Sequence, residues 1–414
     1  MKKQNRYLYL VVSTIAMCLY GYGFILTVFT RPLEETFSCT TKESSTVFTV
    51  CLVMFSLGCL VSGYIYNIMK LKLQFLISTV MITLGLLLSA KAPSIEACYL
   101  TFGVLYGFGA GIGYKAQLTA MVAWFPGKTG FASGVLFMGT GLTAMIFNLP
   151  LNNWIENYGW RNAFLFLGWI TVVFLILNII VVKPYDKDPF NRTNRTVSED
   201  KSEVNGMKTG QMLVTVRFWA FFVWCIFMSA ICMTVASNSV ASALSIGISS
   251  ASAALYSGLI SLFNSISRIL YGLIYDKKGK QFSMVISMLF LAASILFILL
   301  GLKQGAVLPL TIGYLLLGFC FGAVHPISSA YTLQVFGPKY YSENYSIQGL
   351  FTLVSTFIGP LFMGNIYAKL NSYYDTYLIL IPYCILTFVS FAVLNLLVKD
   401  KKQAINNNYD SLSI

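Results

Sequence analysis

Long apolar stretches separated by short polar ones set the pattern of this chain. Runs of eighteen or more mostly apolar residues recur along nearly its whole length, and each can cross roughly 30 Å of hydrocarbon as a helix rising ~1.5 Å per residue. The pattern predicts twelve spans, over 7-29, 45-66, 73-90, 95-120, 131-151, 161-182, 218-240, 252-275, 281-301, 306-332, 343-368 and 376-398. The first, Tyr7 to Phe29, is longer than a signal-peptide core and has no small-residue cleavage site, so it is expected to stay as a span. The expected fold is an all-α polytopic membrane protein.

Composition agrees with a lipid solvent. Of the 414 residues, 57% are hydrophobic and 10% charged, too few charges to cover a soluble protein of this size. The net charge of +13 invites a nucleic-acid reading, but the basic residues are dispersed among the loops rather than gathered on one soluble unit. If both ends are cytoplasmic, twenty of the 28 Lys and Arg fall on that side, including Lys2, Lys3, Arg6, Lys70, Lys72, Lys128, Lys401 and Lys402. Six fall outside (Arg31, Lys42, Lys91, Arg161, Lys303 and Lys369), and Lys115 and Arg268 lie within spans. The positive-inside rule therefore places both termini in the cytoplasm, in a multi-pass protein of the plasma membrane. The nine cysteines, among them Cys51, Cys59, Cys225 and Cys320, sit mostly inside spans as small apolar residues without metal-ligand spacing, so neither a metal nor a cofactor is expected.

The polar stretch Lys183 to Arg217 divides the spans six and six. It reads as a flexible cytoplasmic linker (183-217) between an N-terminal half (1-182) and a C-terminal half (218-399), followed by a basic tail (400-414). Its two sequons, Asn191-Arg192-Thr193 and Asn194-Arg195-Thr196, are read as chance because a cytoplasmic loop is not glycosylated. The halves repeat. Gly107-Phe108 recurs as Gly318-Phe319 and Gly111 as Gly322, 211 residues on; Gly63-Tyr64-Ile65-Tyr66-Asn67 recurs as Gly272-Leu273-Ile274-Tyr275-Asp276, 209 residues on. Duplicated halves that rock around one midplane site are a transporter arrangement. The glycines of the fourth span, Gly103, Gly107, Gly109, Gly111 and Gly113, read mainly as a helix-packing ridge.

Candidate chemistry lies in charges within the membrane, each costing at least about 2.5–3.5 kcal/mol at the bilayer centre. Arg268 lies eight residues before Asp276, and Lys115 nine before Trp124, which puts both about 12–14 Å deep on the cytoplasmic side. No Asp or Glu falls mid-span to neutralise them: Glu34, Glu35, Glu96, Glu343 and Asp375 are all near ends. The missing counter-charge is then the cargo, and an arginine fork with a lysine point charge suits a small mono- or dicarboxylate. The bland alternatives are an Arg268 satisfied by Asn264 and backbone carbonyls, and a Lys115 that snorkels. His325, before Pro326, falls 211 residues after Tyr114, so the two are pseudo-equivalent; His325 is read equally as a substrate or proton group and as a packing histidine beside a kink. Tyr20, Tyr22, Phe24 and Tyr331 are weaker candidates for cavity lining.

Two groups of residues carry a resemblance. The first is Gly107-x-Gly109-x-Gly111-x-x-Tyr114, Trp124-Phe125-Pro126 and Gly130-x-Ala132-Ser133-Gly134; the second is Leu262-Phe263-Asn264, Arg268, Gly272 and Asp276. With them the chain resembles the major facilitator superfamily and, within it, the oxalate:formate antiporter family. The resemblance implies a fold of two six-helix halves and makes Arg268 a carboxylate-holding residue and Tyr114 a cavity tyrosine. Gly63, Asn67, Gly272 and Asp276 become gating-loop positions, with Asn67 where the superfamily has aspartate. Thr352 stands where oxalate-specific members have a lysine, Lys115 where they have glycine and His325 where they have tyrosine. Oxalate itself is therefore in doubt.

The expected function is secondary active transport of a small organic anion such as formate, oxalate, pyruvate or lactate, by exchange or proton symport, in a chain acting as a monomer. No Walker loop and no soluble domain points to ATP, and no nucleophile, base and orienting group can be placed together as in an enzyme. A proton-coupled drug or cation exporter would want a cavity carboxylate, which is missing. A transport-fold anion sensor is the remaining alternative, signalling through the linker or tail.

Overall fold

The structure is a computed structural model that describes residues 5–185, 190 and 206–410, with side chains through 396. The sequons at 191–196, most of the linker, the first four residues and the side chains of the tail lie outside the described residues.

Nine helices among the described residues are long and apolar enough to cross a membrane. Two of them are each a pair of spans. Thr129–Val181 turns at Gly159 (φ 80°, ψ 158°) and Ser250–Gln304 at Gly279 (φ 80°, ψ 179°), a backbone region that favours glycine. The first expected span is shortened because its helix, Asn5–Tyr20, stops at Gly21; a 3₁₀ turn (Tyr22–Ile25) and a second helix (Thr27–Phe37) carry the chain onward. With these, the twelve spans of the sequence pattern are present.

Helix starts follow local capping chemistry. Thr40 and Glu43 form a reciprocal capping box at the start of span two, Thr41–Ile65. Thr215 accepts from the Phe218 N–H at the start of span seven, Val216–Leu244, and Ser249 from the Ser252 N–H at the start of span eight. Span ten is broken where expected. Its helices Val307–Phe321 and Val324–Phe336 meet at Gly322 and Ala323, because Pro326 has no N–H for the Gly322 carbonyl and its ring crowds that position.

Apolar residues bury themselves in two clusters that follow the two halves, with one exception. Tyr341 and Tyr345 of span eleven, Tyr341–Leu370, pack into the cluster of the first half. Residues 206–215 of the expected flexible linker hold to the second half: the Met207 N–H donates to the Phe336 carbonyl, and the Asn344 amide donates to the Met207 carbonyl.

Between the halves, spans two and four meet span eleven, and span five meets span eight. Ser346 donates to the Cys59 carbonyl at 2.9 Å, Thr119 and Ser342 share a hydrogen bond of 3.3 Å, and Asn67 donates to Glu343 at 2.9 Å. Backbones touch where spans five and eight cross. A Cβ on Gly272 would stand 2.1 Å from the Gly130 carbonyl oxygen, and one on Gly134 would stand 2.3 Å from that of Arg268. Among the described residues, hydrogen bonds between the halves all lie from mid-membrane to the side that carries the linker. The structure is therefore closed at its linker side.

Candidate substrate site

Arg268 projects from the middle of span eight into the crossing with span five. It is buried, and its guanidinium is held from both halves. Nε donates to Asn264 Oδ1 at 3.3 Å, one turn away on its own helix. Nη1 donates to the Phe137 carbonyl and, at 2.8 Å, to Thr140 Oγ1, both on span five. Gly141 lets span five approach Ser265 of span eight beside the group, since a Cβ there would stand 2.6 Å from Ser265 Oγ. The bland reading of Arg268 is thus half met: backbone and Asn264 do hold it. Nη2, however, makes no hydrogen bond among the described residues, and no carboxylate pairs with the guanidinium there.

Tyr114 and His325, the pseudo-equivalent pair of the repeat, both lie near this guanidinium. Both are half-buried, on spans four and ten, and both lie within electrostatic range of Arg268. The Phe137 ring joins them, with centroids 5.9 Å from Tyr114 and 5.5 Å from His325. Phe55 packs on the other side of Tyr114 at 5.1 Å, and Phe351 on the other side of His325 at 5.5 Å. Five rings from spans two, four, five, ten and eleven thus form an aromatic arc with the arginine beside it. His325, the chain's one histidine, is not a satisfied packing residue: its Nδ1 is buried without a hydrogen-bond partner among the described residues. The Tyr114 hydroxyl also makes no hydrogen bond among the described residues.

Lys115 does not join this group. Adjacent residues on a helix point about 100° apart, so Lys115 leaves span four on another face from Tyr114. Its Nζ lies 4.2 Å from the centre of the Tyr345 ring and 5.3 Å from that of Tyr341, with Lys115 at 1% exposure and no hydrogen bond to Nζ among the described residues. The alternative of a snorkelling Lys115 is not met, and no contact joins Lys115 to Arg268 among the described residues. Of the weaker aromatic candidates, Tyr20 and Tyr22 are buried in the first half, Phe24 is exposed and Tyr331 stacks on Phe221 at 3.7 Å.

The gating-loop positions sit in two related contacts. Asp276 Oδ1 accepts from the Gly130 N–H at 2.9 Å and Oδ2 from the Phe131 N–H at 2.8 Å, so a carboxylate of the second half caps the start of span five in the first. Gly272 allows the crossing beside it. In the other half, Asn67 reaches Glu343 in the first turn of span eleven, with Gly63 pressed against Ser346. Sequence reasoning missed Phe137, Thr140, Phe55 and Phe351, which reach the site across helix crossings. A separate groove of about 240 Å³ at the linker side, lined by Met207, Thr215, Val216, Arg217, Val335 and Phe336, lacks this convergence of polar groups and is not the site.

Comparison with known families decides the class. The family model described as Major Facilitator Superfamily matches residues 10–308 and 283–411, almost the whole chain. The chain belongs to the major facilitator superfamily. As a member of that family it is a multi-pass membrane transporter, not an enzyme, and its cargo is a small molecule. Among solved structures it is similar to FucP, a transporter of the superfamily caught in the outward conformation, with a TM-score of 0.71 at 13% identity over 94% of this chain and 99% of that one. It is also similar to the proton:xylose symporter XylE, with a TM-score of 0.70 at 15% identity over 95% of each chain. Among curated relatives it is 26% identical over 283 residues to the oxalate:formate antiporter of Oxalobacter formigenes, covering 68% of this chain and 66% of that protein. It is 24% identical over 292 residues to human monocarboxylate transporter 12, covering 62% of this chain and 56% of the relative. The matches thus span about two thirds or less of these relatives' length.

Proposed function

We propose that this superfamily member carries a small monocarboxylate, with Arg268 as the group that holds it. One observation carries the reading: the buried guanidinium keeps Nη2 free of hydrogen bonds and lies within electrostatic range of Tyr114 and His325, with no carboxylate among the described residues to neutralise it. An unpaired cation deep in the bilayer is costly, and an anionic cargo removes the cost. Charge balance favours a monoanion. Lys115 is turned away under tyrosine rings, and Thr352 stands where a second cation would be needed for oxalate. The aromatic arc supplies a flat apolar wall for the remainder of a molecule such as formate, lactate or pyruvate. The named relatives, an oxalate:formate antiporter and monocarboxylate transporters, support the same substrate class.

In this reading the two halves, 1-182 and 218-399, rock about the site, with the linker and both termini cytoplasmic in the plasma membrane. The linker-side closure then corresponds to an outward-facing state. His325 is the candidate for a coupling proton; in exchange, a second anion takes its place. Uptake of a labelled carboxylate panel into proteoliposomes tests the assignment, with trans-anion or a pH gradient applied separately. Uptake of monocarboxylates that Arg268→Gln abolishes supports it, and no uptake of any carboxylate refutes it.

A further inference from the structure

Lys115 is the charged residue the substrate site leaves unused. It sits where the first half meets span eleven, at 1% exposure, and among the described residues its ammonium nitrogen has neither a hydrogen bond nor an ion pair. Its neighbours are the faces of Tyr345 and Tyr341, with Cys59 in electrostatic range. The two rings belong to the other half, so this burial exists only while the linker side is closed. Contacts that favour closure surround it: Thr119, one turn along span four, bonds Ser342, Ser346 bonds the Cys59 carbonyl, and Asn67 bonds Glu343.

We propose that Lys115 is a charge spring: its burial opposes the closed linker side and sets how readily the transporter opens there. An ammonium stripped of water loses far more than two aromatic faces return, and no acceptor among the described residues makes up the difference. When spans four and eleven part, the amine regains water and the penalty disappears. The closing contacts and the buried charge are thus set against each other, which keeps both conformations accessible to a carrier that must alternate between them.

The test reads the conformation and needs no substrate. Spin labels at Lys70→Cys and Lys339→Cys, with the nine native cysteines replaced, report the distance between the linker-side ends of the two halves in lipid nanodiscs. Lys115→Met keeps the length of the side chain and removes the charge; it is expected to raise the closed-to-open ratio about tenfold or more. Lys115→Arg, which keeps the charge, is expected to stay near the parent. Tyr345→Leu removes a ring face and is expected to shift the population towards open, but only while Lys115 is present. An unchanged ratio in Lys115→Met, or a shift towards open, would overturn the proposal, the second outcome making the lysine a latch instead. Because no ligand is added, the result is independent of the carboxylate assignment.

Discussion

The Asn67 side-chain amide donates to the Glu343 carboxylate at 2.9 Å, joining the end of span two to the start of span eleven across the two halves. In the pseudo-symmetric contact the carboxylate is on the loop, where Asp276 accepts from Gly130 and Phe131. The chain thus keeps a carboxylate in both contacts but places it on opposite partners.

Asn67→Asp would set two carboxylates against each other, a change of about 2–4 kcal/mol at an effective dielectric near 20. The linker side is expected to open, measured as faster maleimide labelling of a cysteine at Ser342. Adding Glu343→Gln to the same protein is expected to restore closure, because the carboxylate and amide then trade places. Slow labelling in the single variant would contradict the contact's role.

Removing the second carboxylate acts on the other crossing. Asp276→Asn keeps one acceptor oxygen and loses the charge at the helix start, a loss of about 1.5–3 kcal/mol for bonds to a charged group. Labelling from the linker side is expected to rise, without loss of membrane insertion.

The glycine crossing is expected to be the least forgiving place. Gly272→Val would drive a side chain into the Gly130 carbonyl, at a cost of about 3 kcal/mol, and thermal unfolding in detergent should shift down by several degrees with transport lost. Gly364→Ala is the control: nothing lies within 4 Å of its Cβ position, and its effect should stay within about 1 kcal/mol.

Much of this architecture was legible in the sequence, because lipid imposes long apolar runs and duplicated halves repeat their loops. The repeat also brought Tyr114 and His325 to one place, and depth along the helix pointed to Arg268. What escaped was the partner side of each crossing. The Phe137 carbonyl and Thr140 hold the guanidinium, yet no linear pattern in span five says which turn will meet span eight. Lys115 was different. Its separation from Tyr114 by one helical step turns it about 100° away, towards Tyr345 and Tyr341, a direction that depth along the helix does not reveal.

His325 separates exchange from proton coupling. If its imidazole carries the coupling proton, His325→Gln is expected to keep anion exchange across equal pH and to lose stimulation by a pH gradient. Equal loss of both activities would instead make the residue part of the anion site. The two fluxes measured in the same vesicles give the answer.

Uptake of labelled formate, lactate and pyruvate into proteoliposomes, compared between the parent protein, Arg268→Gln and Arg268→Lys, tests the central claim most directly. Saturable uptake in the parent, loss of at least about a hundredfold in Arg268→Gln and partial retention in Arg268→Lys is the expected result, as befits removal of a charge-assisted contact to an anion. Normal monocarboxylate uptake in Arg268→Gln, with the protein inserted as the parent is, would contradict it.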